Sequence, residues 1–116
     1  MKQVLILKDL FDIAARQDEL PWQPFHEGVD IYPLYSDSKK GAAAALLRYQ
    51  PGASVPRHGH PGFEYIFVLS GSQTDQNGEH EAGTLVINPP NSNHTVVSKA
   101  GCIVLAIWEK PVSLWS

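Results

Sequence analysis

From Ile31 onward, apolar residues come in short runs cut by turn residues. The runs Ile31–Tyr35, Ala42–Tyr49, Phe63–Leu69, Thr84–Asn88, His94–Ser98 and Ile103–Trp108 have the length and side-chain types of β-strands. Pro51-Gly52 suits a tight turn, and Asn77-Gly78 predicts a type I′ hairpin. Ala82-Gly83 and Ala100-Gly101 punctuate the later runs, and the stretch from Pro89 to Asn93 must turn. Many short strands at close spacing predict an all-β chain, built as an antiparallel sandwich or small barrel. Alternation puts Glu64, Ile66 and Val68 on one strand face and Tyr65, Phe67 and Leu69 on the other. Both faces are apolar apart from Glu64. Such a strand is either covered on both sides or exposes an aromatic interaction patch.

The first third is less regular. Val4–Leu7 predicts a short strand, and Leu10, Ile13 and Ala14 have the spacing of one or two helical turns. The stretch from Leu20 to Val29 holds two prolines and two aromatics, which excludes a regular helix and predicts an arm. No repeat, low-complexity tract or linker divides the chain. One domain over residues 1–116 is expected, with the arm over about 1–30 and a core over about 31–110.

Composition narrows the function classes. The net charge is −3, and no basic run or basic-aromatic interleaving marks a nucleic-acid partner. Cys102 stands alone, so no intrachain disulfide forms and a reducing compartment is expected. The apolar stretch near Met1 is four residues long, too short for a signal peptide or membrane span. A cytoplasmic protein with no membrane partner is the resulting expectation.

The chemistry lies in His58, His60, Glu64 and His94. On one extended strand the first three share parity and converge, provided the Pro61-Gly62 turn does not break the alternation. Two imidazoles and a carboxylate on one face form a metal-binding pattern, and His94 completes it only if the fold brings a second strand alongside. Facing one another in a core without a cation, they would be unfavourable. One divalent ion per chain is therefore expected, with Fe, Mn, Ni and Zn all compatible. Ile66, Val68 and Val96 share parity with ligands on their strands and predict an apolar wall for a small-molecule ligand. Arg48 reads either as an anchor for an anionic substrate or as a surface arginine. His26 and His80 read as exposed and outside the ligand set, and Cys102 as a small buried hydrophobe. Trp22, Phe25, Trp108 and Trp115 read as core, a pocket lid or a dimer contact.

With these residues in place, the chain resembles a cupin. Gly52, His58, His60, Glu64 and Gly71 fill every fixed position of the first cupin motif at the right gaps. Gly83, Pro89 and His94 fit the second, with Asn91 replacing its glycine and Ser98 its asparagine. The first replacement is mild, because asparagine tolerates positive φ. A closer resemblance is to the cupin domain of ChrR-type anti-sigma factors. It is carried by WQPFHEGV from Trp22, LRYQPG from Leu47, HGHPGFE from His58, VLSG from Val68, NPPNSNH from Asn88 and Gly101-Cys102. The resemblance implies a jelly-roll barrel, a homodimer, and a metal bound by His58, His60, Glu64 and His94. It also implies, as the leading function, a small metalloenzyme of dioxygenase type acting on a small oxygen-bearing molecule. Glu64 would then leave the metal to accept a proton. The alternative is a non-catalytic metal or ligand sensor. The anti-sigma factors carry a separate zinc-binding, sigma-binding domain that these residues do not match, so sigma-factor binding is not expected to carry over.

Overall fold

A computed structural model describes residues 3–37, 41–110 and 113–114. Among the described residues, ten strands run in chain order: β1 (Gln23–His26), β2 (Val29–Ser36), β3 (Ala43–Tyr49), β4 (Ala53–His60), β5 (Glu64–Asp75), β6 (Gly78–Glu81), β7 (Leu85–Asn88), β8 (Ser92–Ser98), β9 (Cys102–Trp108) and β10 (Ser113–Leu114). The ladder order is β1-β2-β3-β9-β5-β8-β4-β10, with β6 and β7 both paired to β5. The curled sheet and its two layers make a jelly-roll barrel.

β5 is the hinge of this architecture. Its first half pairs with β7 and β9, and its last residues pair with β6 and β8. The strand changes layer at a register irregularity between Val68 and Ser70, followed by Gly71 at φ +73°. A bulge at that point bends and twists the strand. Gly71 is required there twice over. Its φ lies in the left-handed region, and a Cβ would stand 2.0 Å from the Gly101 carbonyl oxygen.

Alternation along the strands sorts side chains into two cores. Leu47, Tyr49, Val55, Ile66, Val68, Val96 and Val104 pack inside the barrel. Leu46, Leu69 and Ile103 point outward and are covered by Ile13, with Leu10, Leu20 and Trp22 alongside. The helical spacing therefore gives what it predicts. α1 (Ile13–Arg16), flanked by 3₁₀ turns, lays its apolar side on the outer face of β3 and β9.

Several expectations need correction. Val4–Leu7 forms no strand; Val4 is 87% and Ile6 70% exposed, and no sheet edge pairs with them among the described residues. β1, β6, β10 and the first half of β4 lie outside the expected strands, whereas His58 and His60 do lie on one extended strand. β1 and β6 are short and mostly polar, so no apolar run announces them. β4 contains Pro56 and Gly59, but the proline sits at a register irregularity between Val55 and His58, where a missing N–H is tolerated. The hairpin at Asn77-Gly78 exists, but Asp75 pairs with Gly78, so its turn residues are Gln76 and Asn77. Only Gly78 takes positive φ there, at +122°, which rules out a type I′ turn. Asn91 adopts φ +69°, as its place in the motif requires. Among the described residues, no helix is long and apolar enough to cross a membrane.

Candidate metal site

His58 and His94 are direct partners across the β4–β8 ladder, which places their imidazoles side by side. His60 lies two residues along the same face of β4, opposite Ser92. Glu64 does not share a strand with them. The chain turns after His60, and Glu64 opens β5 in the other layer, between Asn88 of β7 and Trp108 of β9. The parity argument for three ligands on one strand therefore fails at Pro61-Gly62. The convergence comes from the two layers facing each other. All four side chains are buried, and one donor atom from each lies within 4.8 Å of all the others. His58 Nε2 and His94 Nε2 are 2.8 Å apart, and His60 Nε2 is 2.9 Å from Glu64 Oε1.

The outer ring nitrogens fix which atoms face inward. His58 Nδ1 is 3.1 Å from the Pro56 carbonyl, to which it can only donate. His60 Nδ1 is 2.9 Å from Ser92 Oγ. That hydroxyl gives its one proton to the Pro89 carbonyl at 2.6 Å, so it must accept from His60. In their neutral form, the one that binds a metal, both rings are thereby Nδ1–H tautomers with Nε2 lone pairs turned inward. His60 Nε2 is buried and makes no hydrogen bond. Glu64 is gripped by its strand neighbours: Asn88 Nδ2 donates to Oε1 at 3.0 Å and Trp108 Nε1 donates to Oε2 at 2.6 Å. The Nε2 lone pairs of neutral His58 and His60, converging beside a carboxylate, are stabilised by a cation placed between them. The donor set thus fits a metal ion, and these four residues could hold one.

Burial, the largest cause, holds both His58 and His94 below the ordinary histidine value; for His94 the neighbouring His58 adds to it. Glu64 is also held below the usual carboxylate range. Burial opposes this most strongly but is outweighed by His60 and His94, which favour the carboxylate once they are protonated, and by the Trp108 N–H. In each case the unfolded chain binds the proton more readily, so stability rises with pH. Metal-free protein is expected to hold full stability above about pH 6.5. It loses stability as pH falls below that value through the histidines, and again below about pH 4.3 through Glu64. Urea unfolding at several pH values checks this; a midpoint unchanged between pH 8 and pH 5 contradicts it.

Beside the four residues lies a cavity of about 220 Å³. Ile31, Leu47, Ile66 and Val96 form apolar walls, and Phe25 and Trp108 also line it. Its polar features include Gln73 and Tyr49. Val68 belongs to the packed core and does not line this space. Arg48 is turned to the outer face, where Nη2 meets Asp30 Oδ2 at 2.8 Å and the guanidinium lies 4.7 Å from the Trp22 ring. It does not reach the cavity, so its role as a substrate anchor is corrected to that of an outer brace. Trp22 joins the outer cluster and Trp115 lies outside the described residues. His26 is partly buried. His80 is not exposed as expected; it pairs with Asp75 at 3.0 Å. Cys102 is buried, and burial pushes its thiol up to about 11, which leaves it inert at neutral pH. Sequence reasoning missed Asn88, Ser92 and Trp108 as holders of the site, because only strand register reveals them.

A jelly roll with three histidines and one glutamate meeting between its layers has the architecture of a cupin. A family model described as the ChrR cupin-like domain matches residues 11–111, and the chain belongs to that family. The anti-sigma-E factor ChrR of Cereibacter sphaeroides is 32% identical over 102 residues, covering 86% of this chain and 47% of that protein. The crystal structure of Rhodobacter sphaeroides SigE in complex with the anti-sigma ChrR is similar with a TM-score of 0.73 and 31% identity, covering 84% of this chain and 54% of that one. An acetylacetone dioxygenase from Acinetobacter johnsonii shares the fold, with a TM-score of 0.78 at 15% identity over 100% of this chain and 79% of that one. The chain spans about half the length of the ChrR relatives. These matches overturn the expectation that sigma-factor binding does not extend to this chain. The match falls on an anti-sigma factor solved in complex with its sigma factor.

Proposed function

We propose that this chain is a ChrR-like sensor module that binds one divalent metal through His58, His60, Glu64 and His94 and takes a small ligand into the adjoining cavity. The observation that carries this reading is the inward tautomer of His58 and His60, set by acceptors outside the site. A bound ion would supply a Lewis-acidic centre able to hold an oxygen-bearing ligand. The donors are three nitrogens and one oxygen, a set compatible with Fe, Mn, Ni or Zn. A sigma factor is the partner class that similarity to ChrR supports.

A second reading, a small dioxygenase with Glu64 as proton acceptor, is favoured by the apolar cavity next to the ligands. Against it, both Glu64 oxygens are held by neighbouring strands, which opposes release of the carboxylate as a mobile base. Elemental analysis of protein purified without added metal, paired with an oxygen-uptake assay on acetylacetone, separates the two. About one ion per chain and no oxygen uptake are expected; steady uptake by the loaded protein sinks the sensor reading.

Metal removal is expected to lower the melting temperature on the order of 10 °C, since an ion bound only by the folded chain stabilises it by mass action. Differential scanning calorimetry before and after verified chelation checks this. An unchanged melt counts against a metal in the barrel.

A further inference from the structure

We propose that Asp75, steadied by His80, is a positioning residue for the metal site, turning His94 so that its Nε2 faces the ion. This rests on the metal-binding reading and adds a part to it. His58 and His60 have their outer nitrogens matched to Pro56 and Ser92. His94 Nδ1 is buried and makes no hydrogen bond, and a carboxylate oxygen, Asp75 Oδ2, stands 3.4 Å from it. A slight closing of that gap makes the hydrogen bond.

The β5–β6 hairpin is built to bring this carboxylate in. Asp75 is the last residue of β5, and its side chain is only 3% exposed. Its Oδ1 accepts the Asn77 backbone N–H at 2.8 Å, which folds the turn over it. His80, on the returning strand with a side chain 15% exposed, places Nε2 3.0 Å from the same oxygen. Gln76 Nε2 donates to the Asn93 carbonyl at 2.8 Å, tying the turn to the residue next to His94. Oδ1 is thus taken up by the hairpin itself, and Oδ2 is left for the imidazole. A carboxylate behind a metal-bound imidazole fixes its tautomer and raises its basicity. Of the three outer partners it is the charged one.

The test compares wild type, Asp75→Asn, His80→Gln and the double variant, each stripped of metal and titrated with Zn²⁺ alone against a chromophoric chelator. Asp75→Asn is expected to weaken Zn²⁺ binding by about 10- to 100-fold. His80→Gln should weaken it less, and in the double variant should add nothing further, because it acts through Asp75. Co²⁺ loaded into Asp75→Asn should show a shifted visible absorption band, which a purely structural contact would leave in place. A Zn²⁺ affinity within about twofold of wild type in Asp75→Asn, with only the metal-free melt lowered, overturns the proposal. Should Asp75→Asn not fold, His80→Gln carries the test, and unchanged Zn²⁺ affinity there overturns it equally. If wild type takes up neither Zn²⁺ nor Co²⁺, the metal reading itself falls, and this inference with it.

Discussion

Protein carrying His58→Ala or His94→Ala should bind metal on the order of 100-fold or more weakly than wild type, and emerge from the same purification nearly metal-free. The two rings are register partners with their inner nitrogens 2.8 Å apart. Removing either leaves three donors, one of them the carboxylate from the opposite layer. The same change removes one partner of the His58–His94 contact and leaves a small buried gap, a cost of about 1–3 kcal/mol to the metal-free fold. The metal-free variants should melt somewhat below metal-free wild type but still unfold cooperatively, which distinguishes a lost ligand from a lost fold. Elemental analysis and calorimetry together give both readings. Normal metal content in both variants would remove the assignment.

Gly71→Ala is expected to destabilise the chain by about 4 kcal/mol or more, enough to abolish cooperative folding in a domain of ordinary stability. The new methyl would meet main-chain atoms: the Gly101 carbonyl oxygen at 2.0 Å and Cys102 Cα at 2.9 Å. No rotamer change relieves a clash with backbone. Gly78→Ala is the control. It also sits at positive φ, but a Cβ there meets nothing within 4 Å, so a loss of about 1 kcal/mol is expected. Urea unfolding measures both. Equal midpoints for the two variants would contradict the path of β5 described here.

The ligand types and gaps were legible because a metal needs particular donors, and the two histidines of β4 show their spacing directly. The route by which they meet was not. Extending strand parity through Pro61-Gly62 placed Glu64 beside His60 on one strand, while the chain in fact crosses to the other layer. The strands of the central barrel were readable where both faces are apolar, as in β3 and β9. They were missed where one proline or a polar stretch hides the pattern, as in β1, β6 and the first half of β4. Arg48 shows the same limit from another side. Its parity with Leu46 places it outside, but choosing the inner face of β3 required knowing that Leu47 and Tyr49 face the cavity. Asn88, Ser92, Trp108 and Asp75 are ordinary residues in the sequence. Their roles arise from strands far apart in the chain falling into register.

The placement of the four donors has a mechanical side. Three hang from the layer of β4 and β8, while Glu64 hangs from the layer of β7 and β9. An ion shared by all four would act as a clasp between two walls that could otherwise part at this end of the barrel. Loading and unloading would then change the stiffness of the whole shell, well beyond the few atoms that touch the ion. A protein resting on the outside of either wall could respond to the metal without approaching it.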